Sequence, residues 1–276
     1  MAEPVYQVFA LRYGTSGPRE RRENFIFADA HEAGVPLDYY VWVIRNEHRT
    51  IVVDTGFNAE SAGRRGRRMV TEPVVLLKAL GIDGAAVSDV VITHLHYDHA
   101  GNLGAFAKAR FHMQDDEMAY ATGRHMAHAC LVQPFDVEDV VAAVRHVHAG
   151  RVSFHKGSEE IAPGVELHRV GGHTDGLQIV RVRTAGGWLV LASDALHFAE
   201  NRLSRNPFPL VFHVGEMMEG FRLCERLADG EDRVIPGHDP AVLAKWSHVN
   251  GHADIVRVDL DPLHVGWTNE AAKAPR

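Results

Sequence analysis

An apolar run, Val90-Val91-Ile92-Thr93, leads directly into His94-Leu95-His96-Tyr97-Asp98-His99, and no other stretch narrows the possible folds as far. Side chains alternate across a strand, so a strand ending here projects His94 and His96 to the same side. Asp98 and His99 lie past the turn and can approach a second point in space. Imidazoles with a hard carboxylate and no thiol suit zinc, with iron, manganese or cobalt as substitutes. The competing reading is a cluster of surface histidines, since the chain holds 19 of them. The set offsets within six residues favour the metal.

Three later positions have the same character. His173 sits in Gly171-Gly172-His173-Thr174 after the apolar segment 165–170, and Asp194 follows the buried-looking strand 188–192. His238 lies in Pro236-Gly237-His238-Asp239-Pro240, after the short strand 233–235. Each candidate occupies a loop at a strand end, where a rigid sheet can position a site on variable loops. A lone histidine there is more often a hydrogen-bonded structural residue. Together with the first motif they make five histidines and two aspartates, enough for two metal ions.

With 276 residues and no Pro/Ser-rich linker or low-complexity tract, a single domain over 1–276 is expected. The formal charge, 29 minus 36 or −7, gives no overall attraction to nucleic acid or acidic membranes. Arg64-Arg65-Gly66-Arg67-Arg68 is the local exception, either a solvated loop or a site for an anionic group or partner. The amino terminus lacks a secretory pattern, no apolar run is long enough to span a bilayer, and Cys130 and Cys224 sit far apart. These features predict reduced thiols in a cytoplasmic protein. Strands are predicted at 5–12, 39–45 and 50–53, with a hairpin around Asn46-Glu47-His48-Arg49. The long polar segment 14–36, carrying Phe25 and Phe27, reads as a lid or binding loop. Helices are predicted at 72–80, 115–124 and 136–148, the last with Val137, Val140, Val141 and Val144 on one face and His146 and His148 on the surface. Strands at 165–170, 177–184 and 188–192 and a helix at 216–228 follow. This pattern alone supports only mixed α and β structure.

From Asp54-Thr55-Gly56 through the His94–His99 motif, His173, Asp194 and His238, the chain resembles the metallo-β-lactamase superfamily. The resemblance implies an α/β (α+β) fold, the four-layer αβ/βα sandwich. It implies that His94, His96 and His173 hold one metal, that Asp98, His99 and His238 hold another, and that Asp194 bridges them. Two divalent ions are then expected, Zn2+ foremost. Asp54 would orient the ligand loop without binding metal, its alternative being a loop carboxylate capping the turn at Thr55-Gly56. A bridging Asp194 argues against the antibiotic-degrading β-lactamases, and His96 in place of a carboxylate argues against the flavodiiron oxygen reductases. The short stretch after His238 argues against a glyoxalase II, and the acidic charge against an RNA-processing nuclease. The nearest likeness is to the N-acyl homoserine lactonase family, through residues 93–102, Gly172-His173-Thr174, Ser193-Asp194 and Pro236-Gly237-His238. Such enzymes open a lactone ring and quench bacterial signalling. One departure stands out: the family's tyrosine three residues past the bridging aspartate is here His197. An imidazolium could donate to the departing alkoxide as a phenol could; the alternative is a ring that only packs under the site.

A two-metal centre lowers the pKa of a bridging water from about 16 to near 7, which supplies a hydroxide nucleophile. Asp98 is the natural acceptor of the water's proton, and the expected reaction is hydrolysis of a small-molecule lactone. Other ester, lactone or cyclic amide hydrolysis shares the same core. A mononuclear iron persulfide dioxygenase needs only two histidines and one aspartate. A zinc-stabilised binding module is the non-enzymatic alternative, although structural zinc sites are typically closed and cysteine-rich. Tyr97 is expected to border the metals, with Phe27 and Phe208 as apolar walls of the substrate pocket. Phe25, Phe27 and Phe208 could instead close the core or a homodimer contact.

Overall fold

The computed structural model describes residues 4–29 and 31–267. Thirteen strands occur among them: β1 Gln7–Ser16, β2 Leu37–Arg45, β3 Thr50–Val53, β4 Arg68–Met69, β5 Asp89–Val91, β6 Arg110–Gln114, β7 Val152–His155, β8 Ser158–Ala162, β9 Val165–Arg169, β10 Gln178–Thr184, β11 Gly187–Leu191, β12 Val234–Ile235 and β13 Ile255–Arg257. The first sheet runs β13-β1-β2-β3-β5-β6-β7, with β4 beside β1, and the second runs β12-β11-β10-β9-β8. The strands β3, β5, β6 and β7 are mutually parallel, as are β11 and β12.

The near-unbroken apolar character of β2 has a direct cause: both of its faces are covered. Tyr40, Trp42 and Ile44 point into a core shared with Val180, Val182, Leu189 and Leu191 of the second sheet. Tyr39, Val41 and Val43 face the other way, into the core beneath the helices. Helices Pro73–Ala79 and Val137–His148 cover the outer face of the first sheet through Leu76, Leu77, Val140 and Ala143. Helix Val214–Leu227 covers the second through Met217, Phe221 and Cys224. The result is helix, sheet, sheet, helix: the expected four-layer αβ/βα sandwich.

This arrangement gathers strand ends. Asp54 follows β3 and the His94 motif follows β5, two parallel strands. In the second sheet β9 and β11 are each antiparallel to β10, so β9, β11 and β12 share a direction. His173, Asp194 and His238 follow those three strands. Every candidate ligand therefore lies beyond a carboxyl strand end, the usual crevice for ligands in open α/β sheets.

Two sequence expectations need correction. The first strand does not stop at Arg12: it continues to Ser16 through a bulge between Arg12 and Gly14 and pairs with β4. Gly14 allows this, since a Cβ there would meet the Phe57 ring at 2.6 Å. The second correction concerns the helix beginning at Val137. Val137 is 71% exposed, and the buried stripe is Asp139, Val140 and Ala143. Asp136 is tied to Ser61, Arg64 and Arg65, which sets the rotation of the first turn. His146 is consequently half-buried, its ring 4.7 Å from that of Phe111, whereas His148 is exposed as expected.

Leu189 is fully buried between the sheets. Leu189→Ala is expected to destabilise the fold by about 2–5 kcal/mol, read as a lower urea midpoint at unchanged slope. Val137→Ala should stay within about 0.5 kcal/mol of the parent. A comparable loss at both positions would contradict the assigned helix rotation.

Candidate metal centre

The backbone first ties the two ligand-bearing strand ends of the first sheet together. Asp54 has a left-handed conformation, φ +62°, that turns its buried carboxylate toward β5. Oδ1 accepts from the Thr93 amide at 2.8 Å, and Oδ2 accepts from the Thr93 hydroxyl at 2.8 Å. The same Oδ2 lies 2.7 Å from His99 Nδ1. Burial pushes Asp54 above the ordinary carboxylate range, and His99 and Thr93 pull it back. His99 itself is reached through the short helix Tyr97–Ala100, whose first turn also carries Asp98.

The second sheet contributes three loops. His173 follows Gly171 and Gly172, both at positive φ, and a Cβ on Gly172 would meet the Met217 amide nitrogen at 2.5 Å. Its Nδ1 donates to the Leu210 carbonyl at 2.7 Å, and His238 Nδ1 donates to the Asp38 carbonyl at 2.8 Å. With Nδ1 committed in His99, His173 and His238, the Nε2 lone pairs are the ones aimed inward.

All these inward atoms converge on Asp194. Its Oδ1 is 2.9 Å from His238 Nε2 and 3.2 Å from His99 Nε2. Its Oδ2 is 3.0 Å from His197 Nε2, 3.1 Å from His173 Nε2 and 3.8 Å from His94 Nε2. Asp98 Oδ2 lies 3.7 Å from His99 Nε2 and 3.9 Å from His238 Nε2, while His96 Nδ1 is 3.0 Å from His173 Nε2. The seven predicted ligands, His94, His96, Asp98, His99, His173, Asp194 and His238, are thus brought together, all buried. Burial opposes ionisation of Asp194, yet His197, His238, His99 and His173 hold its carboxyl well below the usual range. Burial pushes His94 and His96 well below the ordinary imidazole value.

These residues fit metal ions. His94 Nε2 and His99 Nε2 are buried without a hydrogen-bond partner among the described residues, an arrangement that costs free energy unless something else satisfies them. The trios His94/His96/His173, His94/His99/Asp194 and Asp98/His99/His238 each bring three ligand atoms within 4.8 Å of one another. Nitrogen and oxygen donors without sulfur suit zinc or a related divalent ion.

The cleft above the centre has a volume of about 330 Å³ and is lined in part by Tyr39, Tyr97, Asp98, His197 and Phe208. The His197 ring stacks on Phe208 at 3.7 Å between centroids. Burial pushes His197 down to about 3, which favours the neutral imidazole over the imidazolium that could donate to an alkoxide. Its Nδ1 has no partner among the described residues. Phe25 is fully buried against Phe198, whereas Phe27 is 78% exposed and stands apart from the cleft lining. The chain turns outward there because the Phe27 backbone pairs with the Asn206 side chain, and Phe27 is not a wall of the cleft.

Sequence reasoning missed two supporting residues. Glu117 is buried and accepts from the Leu95 amide at 2.8 Å and the Thr174 hydroxyl at 2.6 Å, so one carboxylate ties both histidine loops. Burial raises it to about 7. In the sequence it looks like ordinary acidic decoration of a helix start. Tyr39 meets Tyr97 Oη at 3.2 Å and packs its ring against His238 at 5.3 Å, but reads in the sequence as one more strand aromatic.

Cys130 and Cys224 are both free thiols, and no helix among the described residues is long and apolar enough to cross a membrane. The N-acyl homoserine lactonase AiiB of Agrobacterium fabrum is 32% identical over 189 residues, 60% of this chain and 65% of its own length. The chain thus spans just under two thirds of that relative. An N-acyl homoserine lactonase from a Bacillus species is 27% identical over 226 residues, 75% of this chain and 84% of its own. A solved structure of an N-acyl homoserine lactone hydrolase with the product N-hexanoyl-L-homoserine bound at its catalytic metal centre superposes with a TM-score of 0.71 at 21% identity. It covers 86% of this chain and 95% of that one, a likeness of fold. Residues 34–238, well over half of the sequence, match the metallo-β-lactamase superfamily, and with the sandwich and the histidine–aspartate centre in place this chain belongs to that superfamily.

Proposed function

We propose that the centre holds two divalent ions, Zn2+ foremost, and hydrolyses a lactone, in the first instance an N-acyl homoserine lactone. The observation that carries this reading is Asp194, whose two oxygens face separate sets of imidazoles. His94, His96 and His173 would hold one ion, Asp98, His99 and His238 the other, and Asp194 both. Such ions supply a water acidified to near neutrality and a Lewis acid for the carbonyl oxygen.

The chain's own residues do the rest. Asp98 lines the cleft and accepts the proton of the attacking water. Neutral His197 carries a single N–H, which on Nε2 rests against Asp194 Oδ2 and can donate a hydrogen bond to the leaving ring oxygen, while Asp98 returns to that oxygen the proton it took from the water. Phe208 keeps that ring flat, and Tyr97 with Tyr39 borders the lactone on the opposite wall. Asp54 and Glu117 hold the ligand loops in register without touching the substrate. The named relatives support the lactone class, and the free thiols suit a reducing compartment such as the cytoplasm.

Elemental analysis of purified protein should return close to two ions per chain, and a lactone panel followed by pH-stat should show ring opening that an open-chain ester control does not match. One ion per chain with full activity contradicts the paired centre. Asp194→Ala is expected to lose both ions and all hydrolysis.

His197→Ala should lower kcat for every lactone at unchanged metal content, because its hydrogen bond to the leaving oxygen strengthens as charge develops there in the transition state. Loss of metal from that variant would reassign His197 to the ligand set. Asp54→Ala should weaken metal binding by about 10–100-fold in chelator competition, the usual effect of removing a carboxylate behind a ligating histidine. Unchanged affinity would leave Asp54 as a turn residue only.

A further inference from the structure

Two arginines on the cleft wall carry charges that no ion pair among the described residues answers. Arg67 donates Nε–H to Tyr97 Oη at 3.1 Å and Nη1–H to Ser16 Oγ at 3.0 Å, both neutral acceptors. Three of its five N–H groups are left over. Arg19 gives one N–H to the Glu23 carbonyl at 2.7 Å, and its buried Nε has no partner among the described residues. Both side chains are half-buried and line the same cleft as Asp98, His197 and Phe208. Burial lowers the Arg19 pKa, Glu23 raises it, and the neighbouring Arg67 charge lowers it further.

The nearby arginines behave differently. Arg64 and Arg65 are paired with Asp136, and Arg65 also caps the Gln133 and Phe135 carbonyls while lying 4.1 Å over the Tyr97 ring. Gly66, at φ +62°, separates these structural arginines from Arg67. Of the carboxylates around the cleft, Asp98 and Asp194 belong to the candidate metal set. Glu23 sits at the exposed mouth, where its Oε2 accepts from the Glu20 amide at 2.6 Å. A chain of net charge −7 therefore lines its cleft with two guanidinium groups that make no direct ion pair among the described residues; Glu23 acts on Arg19, and Asp98 on Arg67, only at longer range. Partly dehydrated guanidinium forks have lost hydration that a carboxylate can replace bidentately.

We propose that Arg67 and Arg19 bind a carboxylate substituent of the substrate, remote from the ring being opened, so that the preferred lactone is anionic and not neutral. The inference rests on the lactone-hydrolase reading for the identity of the reacting group. The carboxylate released by ring opening offers the same chemistry, and the test separates the two.

The experiment compares two γ-lactones with N-acyl tails of equal length, one ending in a carboxylate and the other in a primary amide, on the metal-replete enzyme. The wild type should favour the acid in kcat/KM by about tenfold or more, the scale of a charge-assisted contact. That ratio should decline with added salt, fall toward one in Arg67→Gln and Arg19→Gln, and survive largely in Arg67→Lys. A ratio near one in the wild type, or a preference that persists in both glutamine variants, overturns the proposal. Inhibition by the ring-opened amide product, relieved in the variants without any acid preference, would instead assign the pair to the product and also overturn it. If neither lactone is hydrolysed, the lactonase reading fails, and calorimetry comparing the ring-opened dicarboxylate with the ring-opened amide, which differ only at the remote carboxylate, decides this point separately. Tighter binding of the dicarboxylate to the wild type that is lost in the double variant supports the arginine site; equal binding of the two, or none, overturns it.

Discussion

A carboxylate buried among five imidazoles is the interaction on which the structure depends. Asp194 is 3% exposed, and five histidine nitrogens stand within 2.9–3.8 Å of its oxygens. Isolated burial of such a charge costs several kcal/mol even after relaxation, and the inward nitrogens offset it only where they carry a proton or would share an ion with the carboxylate. No single element can arrange this. His94 and His99 come from the end of β5, His173 from β9, His197 from the loop after β11 and His238 from β12, so both sheets must hold their relative positions. Loss of packing between the sheets would therefore reach the centre directly.

The inward aim is enforced one shell further out. Asp54, the Asp38 carbonyl and the Leu210 carbonyl each fix a histidine Nδ1, leaving Nε2 for the centre. Glu117 does the equivalent work on the backbone, tying the loop of His94 and His96 to that of His173. Its helix start comes so near the second loop that a Cβ at Gly176 would meet the Glu117 amide nitrogen at 2.0 Å. Polar networks that are fully satisfied in this way rigidify a site, because any alternative arrangement leaves a buried group unpaired.

Above the centre, the walls divide by chemistry. His197 on Phe208 forms a flat, mostly apolar side, whereas Tyr97 is held between Arg65 over its face and Arg67 at its hydroxyl. The two arginines reach one aromatic ring from positions two residues apart, yet among the described residues only Arg65 of the two makes a direct ion pair with a carboxylate. Arg65 and Arg67 thus reach the cleft from one short loop, 64–68, which carries none of the candidate metal ligands.

Much of this was legible in the chain itself. The histidine–aspartate motif, its place after an apolar strand and the three later ligands all depend on local order and on strand alternation, which are properties of short segments. The strand at 39–45 was likewise legible, though not that both of its faces are covered. What the chain did not disclose were the pairings made across long separations. Glu117 looks like any acidic residue opening a helix, and Phe27 looks like a pocket aromatic until the Asn206 contact turns it outward. The same holds for the lowered pKa of His197, whose largest cause is burial that no neighbour in sequence supplies. Residue type and spacing determine which chemistry is available. Direction, burial and countercharge are decided by contacts between segments far apart in the chain, and only the packed sandwich creates them.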